Sequence, residues 1–280
     1  MNPYDLPLPL THPCPGNALA AVSHAEPYSY YDRLAARQGW YFDAYLEMWV
    51  AASAASVEEV MAHPCCRAPA TAAAPVVVPV VAPVVDVAQA RALAVLIGRR
   101  LWCRDKLAKW MVCVPELTMV SLAGAGHVAL PALAYEAATA LIGSGVLALL
   151  REPEEERCGA EDADALVQAV SRFDPPVQNT RRVVTRDCEI GGAPLKTGQE
   201  VLLVLAAASR DVRGGRVYGL GHGTGDCPHY ALACALAAGA LQALMSLMRD
   251  QRKALSLQAW LQQLTWTYRD SASVRMPLFT

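Results

Sequence analysis

The chain has 280 residues, of which 54% are hydrophobic and only 18% charged, with a formal net charge of −2. That composition excludes a disordered chain or a polyelectrolyte, and it gives no electrostatic footprint for nucleic acid. Nine cysteines, an odd number without a CxxC pair or a signal-peptide pattern, predict a reduced, cytoplasmic protein whose thiols mostly fill space.

Residues 1–26 are expected to form an extended N-terminal arm, since Pro3, Pro7, Pro9, Pro13 and Pro15 crowd its first fifteen positions. The spacing of Tyr28, Tyr31, Leu34 and Ala35 predicts a helix over Pro27–Gln38, closed by Gly39. Trp40–Ala44 and Leu46–Ala52 read as the strands of a hairpin. Ser56, with Glu59 three residues later, is expected to cap a helix reaching Met61.

Residues 68–85 contain no charge, yet Pro75, Pro79 and Pro83 rule out a regular membrane helix. An extended apolar connector within the domain is expected. Asp86–Trp110 reads as a basic amphipathic helix or helix pair, with Arg91, Arg99, Arg100, Arg104, Lys106 and Lys109. Leu117–Leu150 is again apolar, with Glu136 as its acid, and is expected to be a long core helix rather than a membrane span. A carboxylate buried in such a helix points to function.

An acidic linker over Glu152–Asp164 precedes a short helix, Ala165–Arg172, which Pro175-Pro176 stops. Strands of a small sheet are expected within Val177–Leu205, then a helix over Tyr230–Met248, a further helix from Leu255 and a closing hairpin from Leu264 to Phe279. Between sheet and helix lies Tyr218-Gly219-Leu220-Gly221-His222-Gly223-Thr224-Gly225-Asp226-Cys227-Pro228-His229. Its glycines permit close approach to a flat ligand, and Cys227 falls where a helix start favours a thiolate. Taken alone, the stretch equally describes a buried cysteine beside a turn.

The order of these segments resembles the cytochrome P-450 superfamily of haem-thiolate proteins in its bacterial soluble form. The resemblance rests on Pro27–Leu34 with Trp49-Val50, on Tyr135–Gly145 continuing through Leu149–Pro153, and on Arg172–Gln178. It continues through Arg182, Asp187, Gly191-Gly192, Gly198 and Ala206–Asp211, the cysteine loop with Gly221, Gly223 and Cys227, and the tail Arg269–Leu278. It implies a single domain over 27–280 that is mainly α with small β-sheets. This is a shortened P-450-like fold lacking much of the lid helix region, because Met61–Leu117 is too short for all of those helices.

The same resemblance implies haem b with Cys227 as the axial metal ligand. Arg182 would be a propionate partner, though by itself it reads as a solvated strand charge. Leu220, Gly221, Gly223 and Arg172 would lie in the cofactor-binding frame and Glu136 would be the catalytic acid. Departures are equally specific. Leu220 replaces the sulfur-shielding Phe, Gly225 a propionate-binding Arg or His, and His229 a Gly. Ala169 replaces the Glu of Glu-x-x-Arg, and Ala137 replaces the proton-delivering alcohol. Thr139 lies about 200° round the helix from Ala137 and does not substitute for it.

The expected activity is that of a haem-dependent oxidoreductase, of monooxygenase type or peroxide-dependent, acting on a small or carrier-bound apolar molecule in specialised metabolism. A ferredoxin-type donor would supply electrons in the first case, and a partner subunit could cover the open distal face. An isomerisation or dehydration at the iron belongs to the same class. The alternative is a degenerate haem-fold accessory protein that activates or scaffolds a partner enzyme. The basic face from Arg91 to Lys109 reads as a solvated face, or as a further source of propionate contacts.

Overall fold

A computed structural model describes residues 14–37, 40–69, 85–123, 132–151, 162–214, 216–219, 230–249 and 259–280. Residues 14–26, expected to continue an extended arm, instead turn and pack: Ala18, Ala21 and Val22 are fully buried. Asn17 starts the turn by accepting from the Leu19 and Ala20 N–H groups at 3.0 and 2.8 Å, the local bonding that Asn side chains offer. The rest of the expected arm and most of the 68–85 connector lie outside the described residues.

Helix α1 (Tyr28–Ala36) buries Tyr28, Tyr31, Leu34 and Ala35, the face its spacing predicts. Strands β1 (Tyr41–Asp43) and β2 (Met48–Ala51) pair antiparallel with Phe42 opposite Trp49, and the two rings meet edge to face at 5.6 Å. Helix α2 (Ala54–Ala62) is capped one turn earlier than expected. Ser53 is the N-cap, its Oγ accepting from Ser56 N–H, while Ser56 Oγ accepts from Ser53 N–H, both at 3.2 Å. The short hydroxyl of Ser56 completes the box, which frees Glu59 to accept from Gly191 N–H at 3.0 Å.

Strand β3 (Cys66–Arg67) precedes α3 (Val87–Leu101), whose first N–H groups at Ala88 and Gln89 are satisfied by Asp86. A 3₁₀ turn at Arg104–Lys106 leads into α4 (Leu107–Ala123), so the basic segment is a helix pair. Of the apolar run expected as one helix, the structure describes the end of α4, up to Ala123, and α5 (Ala132–Arg151), with the eight residues 124–131 outside the described residues. Helix α6 (Ala163–Phe173) is capped by Asp162 and stops before Pro175-Pro176.

Strands β4 (Thr180–Val184), β5 (Cys188–Ile190), β6 (Ala193–Leu195) and β7 (Glu200–Leu203) follow, then the short α7 (Leu205–Arg210) and α8 (Tyr230–Arg249). Gly191 and Gly192, with φ of 56° and 78°, make the β5–β6 turn in a left-handed conformation that favours glycine. Strands β8 (Trp266–Tyr268) and β9 (Pro277–Phe279) form the closing hairpin. The main sheet has the order β1-β2-β7-β4-β3. Its parallel β2–β7 pairing, Trp49 beside Val201, joins the expected Trp40–Ala52 hairpin to the small sheet expected within Val177–Leu205.

Helix α8 is the hub of the helical layer. It is long and apolar enough to cross a membrane by composition, but most of it is buried against protein. Its crossing with α3 is close because both helices present small residues there. A Cβ on Gly239 would lie 2.6 Å from both Ala94 Cβ and Arg91 O, and one on Gly98 would lie 2.9 Å from Ala243 Cβ. Helix α5 meets α8 in the same way: a Cβ on Gly145 would meet Leu241 Cδ1 at 2.5 Å.

Candidate functional site

Arg182 lies on β4, opposite Val201 of the central strand β7. Strand alternation separates it from its neighbour Arg181, which pairs with Glu200 at 3.0 Å. The Arg182 guanidinium donates only to neutral acceptors among the described residues, Arg181 O at 2.8 Å and Thr180 Oγ1 at 3.3 Å. Burial pulls its pKa below the usual arginine value, against a smaller opposing influence of Cys66. A half-buried guanidinium without a described carboxylate is a fitting partner for an anionic ligand group.

Glu136 lies in the second turn of α5, and its carboxylate takes a hydrogen-bonded ion pair from Arg269 at 3.2 Å, just beyond β8. Its side chain keeps 41% of its exposure, so the acid reaches the surface of the fold rather than being sealed in its core. Ala137 and Ala138 are fully buried and Thr139 nearly so. At Ala137 no hydroxyl is available to relay a proton.

Arg172, in the last turn of α6, lies 5.8 Å from the ring of Phe173. With Ala169 one turn earlier, it forms no ion pair among the described residues. The strong ion pairs are elsewhere. Arg210 forms a two-point contact with Asp32 at 2.6 and 3.2 Å and donates to Phe173 O at 3.0 Å. Arg275 is fully buried, bonded to Asp174 at 2.8 Å, and donates to the carbonyls of Val22 and His24 at 2.9 and 2.7 Å. Its guanidinium sits 3.5 Å from the Tyr268 ring centre, a cation–π contact.

Sequence reasoning missed the pairing of Asp174 with Arg275, although both stand in segments that carry the family resemblance. Three further bonds tie those segments together: Gln178 N–H to Ser273 O, Arg275 N–H to Pro176 O and Asn179 Nδ2 to Ala272 O, each at 2.8 Å.

Leu220, Gly221, Gly223 and Cys227 lie outside the described residues. The described approach to them is firmly held. Tyr218 is buried, its N–H donating to Ser209 Oγ at 2.9 Å and its hydroxyl to Glu58 at 2.7 Å. Gly219 passes so close to α6's exit that a Cβ there would collide with Pro175 Cβ. On the far side the chain enters α8 at Tyr230. The cysteine stretch is thus tethered to the sheet–α6 junction at one end and to the hub helix at the other.

No family model matches the chain. It is 44% identical to "Protein DesVIII" of Streptomyces venezuelae over 85 residues, which is 29% of this chain and 21% of that protein. It is 33% identical over 159 residues to the vitamin D(3) 25-hydroxylase of Pseudonocardia autotrophica, covering 50% of this chain and 38% of the other. A biotin biosynthesis cytochrome P450 of Bacillus subtilis is 37% identical over 97 residues, 34% of this chain and 22% of that protein. The chain therefore spans well under half the length of the curated relatives it matches.

Among solved structures, cytochrome P450 CREJ aligns with a TM-score of 0.65 at 15% identity, covering 93% of this chain and 97% of the other. P450BioI, solved in complex with an acyl carrier protein bearing hexadec-9Z-enoic acid, aligns with a TM-score of 0.59 at 15% identity, covering 90% and 96%. These likenesses establish the fold, and the partial sequence matches include proteins named as cytochromes P450.

Proposed function

We propose that this chain, which has the cytochrome P450 fold, is a haem-thiolate oxidoreductase acting on a small or carrier-bound apolar molecule. The observation that carries the reading is the half-buried Arg182, whose charge has no described counterion and fits a haem propionate. Cys227 would hold the iron, with Leu220, Gly221 and Gly223 shaping its loop, and Arg172 would belong to the surrounding frame. Haem b, when bound, supplies an iron centre for oxygen or peroxide chemistry. The Cys227 thiolate, a soft ligand, would make that centre electron-rich.

The remaining chemistry belongs to the chain's own side chains. Glu136 would hold the proton that the reaction consumes, with Arg269 orienting the carboxyl group. Ala137 provides no second relay, which supports peroxide-dependent turnover over efficient use of oxygen and a ferredoxin-type donor. The carrier-bound option draws support from P450BioI, whose solved complex contains an acyl carrier protein. Apolar character fits a fold whose interior is lined by alanine, leucine and valine. A cytoplasmic location accords with free thiols such as Cys65, Cys66 and Cys188.

A second reading has its own support. Arg172 has no acid partner among the described residues, Ala137 lacks the alcohol, and Glu136 is held by Arg269. Those features suit an accessory protein that keeps the fold to activate or scaffold a partner enzyme. One measurement divides the two. Protein purified with haem supplied, reduced with dithionite and exposed to carbon monoxide, should show the far-red-shifted Soret band of thiolate ligation. Cys227→Ser should abolish that band, and Arg182→Leu should lower haem retention. Glu136→Gln should slow turnover while leaving thermal stability unchanged. A folded chain that takes up no haem would defeat the oxidoreductase reading and leave the accessory one.

A further inference from the structure

Three potential ligand side chains outside the haem frame converge where α2 hands over to the sheet. His63 ends α2, Cys65 lies in the turn to β3, and Cys188 opens β5. Their ligand atoms all lie within 4.8 Å of one another. From the sequence, adjacent Cys65-Cys66 lacks the spacing of a zinc knuckle. The third donor arrives from more than a hundred residues away, which only the tertiary fold provides.

We propose that His63, Cys65 and Cys188 form a zinc(II) site with a fourth position open to water or an added ligand. Two sulfurs and one imidazole are the donors this borderline-soft ion prefers, and three protein ligands plus an open position is a known zinc arrangement. Tetrahedral Zn–S bonds of about 2.3 Å put ligand atoms about 3.8 Å apart, so the observed spread needs only small side-chain adjustments.

The backbone around the trio is already fixed. Cys65 O accepts from Thr185 N–H at 2.8 Å and from Thr185 Oγ1 at 3.0 Å, locking the turn against the end of β4 three residues before Cys188. His63 O accepts from Cys66 N–H at 3.0 Å, and its Nδ1 lies 3.3 Å from Cys65 N. The Arg186 Nε–H points at Cys65 Sγ from 3.0 Å, the type of donor that stabilises a metal-bound thiolate from behind. Binding forms two Zn–S bonds and one Zn–N bond. Each thiol loses its proton to solvent, leaving a neutral zinc–dithiolate unit beside the arginine.

The test uses the full chain, purified without a polyhistidine tag and desalted, with zinc measured by elemental mass spectrometry. About one zinc per chain is expected. Cobalt(II) in its place should give thiolate-to-cobalt charge transfer and tetrahedral visible bands. Cys65→Ser and Cys188→Ser should each lose metal and bands, and His63→Gln should weaken binding in a chain that circular dichroism shows folded. Cys66→Ser and Cys227→Ser should retain both, which separates this site from the haem ligand. Wild-type chain that takes up neither metal would overturn the proposal. So would metal retained undiminished in the Cys65 and Cys188 variants, or a Cys65–Cys188 disulfide in freshly prepared protein.

Discussion

Arg275 has no exposure to solvent, and every described contact of its guanidinium is either a carbonyl, the Asp174 carboxylate or an aromatic face. Burial alone would favour its neutral form, but the surrounding tyrosines and Asp174 outweigh that and raise its pKa above the usual arginine value. Removing one partner leaves the other charge uncompensated in a dry interior. Arg275→Met should therefore cost about 3–5 kcal/mol, read as a lower urea midpoint. Pairing it with Asp174→Leu should recover part of that loss. Nothing in the local sequence distinguishes Arg275 from its neighbour Arg269, which makes only a part-exposed pair with Glu136. The two differ because Arg275 meets Asp174 across 101 positions of chain.

At the scale of elements, the α3–α8 crossing sets how the hub helix sits. In an exposed helix, replacing glycine by alanine gains about 1 kcal/mol. At Gly239 the added Cβ would collide with Ala94 Cβ and the Arg91 carbonyl, and a backbone carbonyl cannot rotate away. Gly239→Ala should thus destabilise, by about 1–3 kcal/mol, checked by thermal melting. Its sign, opposite to helix propensity, identifies the crossing as the cause. The helices themselves were legible, since α1, α3, α6 and α8 follow from spacing, caps and proline stops. The cap of α2 was not. Ser53 and Ser56 both suit an N-cap, and the choice between them depends on Asp211, whose Oδ2 accepts from Ala54 N–H at 3.1 Å.

At the scale of the whole molecule, Asp211 links three parts of the fold. It binds the start of α2, takes two contacts from Arg213 at 2.8 and 3.0 Å, and Arg213 in turn donates to Ala35 O at the end of α1. Burial pushes its carboxyl upward, but the bonds from Arg213 and Ala54 outweigh that and hold it below the usual value. A depressed folded pKa stabilises the native state fully above the unfolded value of about 3.9, and that contribution disappears as pH falls through the folded one. The urea midpoint should fall as pH is lowered below about 4, and Asp211→Asn should flatten that part of the profile.

What the sequence determined by itself was local. It specified which segments are helical, where glycine turns the chain, which residues carry the P450 resemblance and which positions depart from it. Those properties follow from side-chain periodicity and backbone sterics, which act over a few residues. Tertiary structure alone decided the β2–β7 pairing that unites the sheet, the packed course of residues 14–26 and the burial of Arg275 with Asp174. It also decided that Arg182 is left without a described counterion and that His63, Cys65 and Cys188 meet. Each of these depends on contacts across many positions of chain, and no local pattern encodes them.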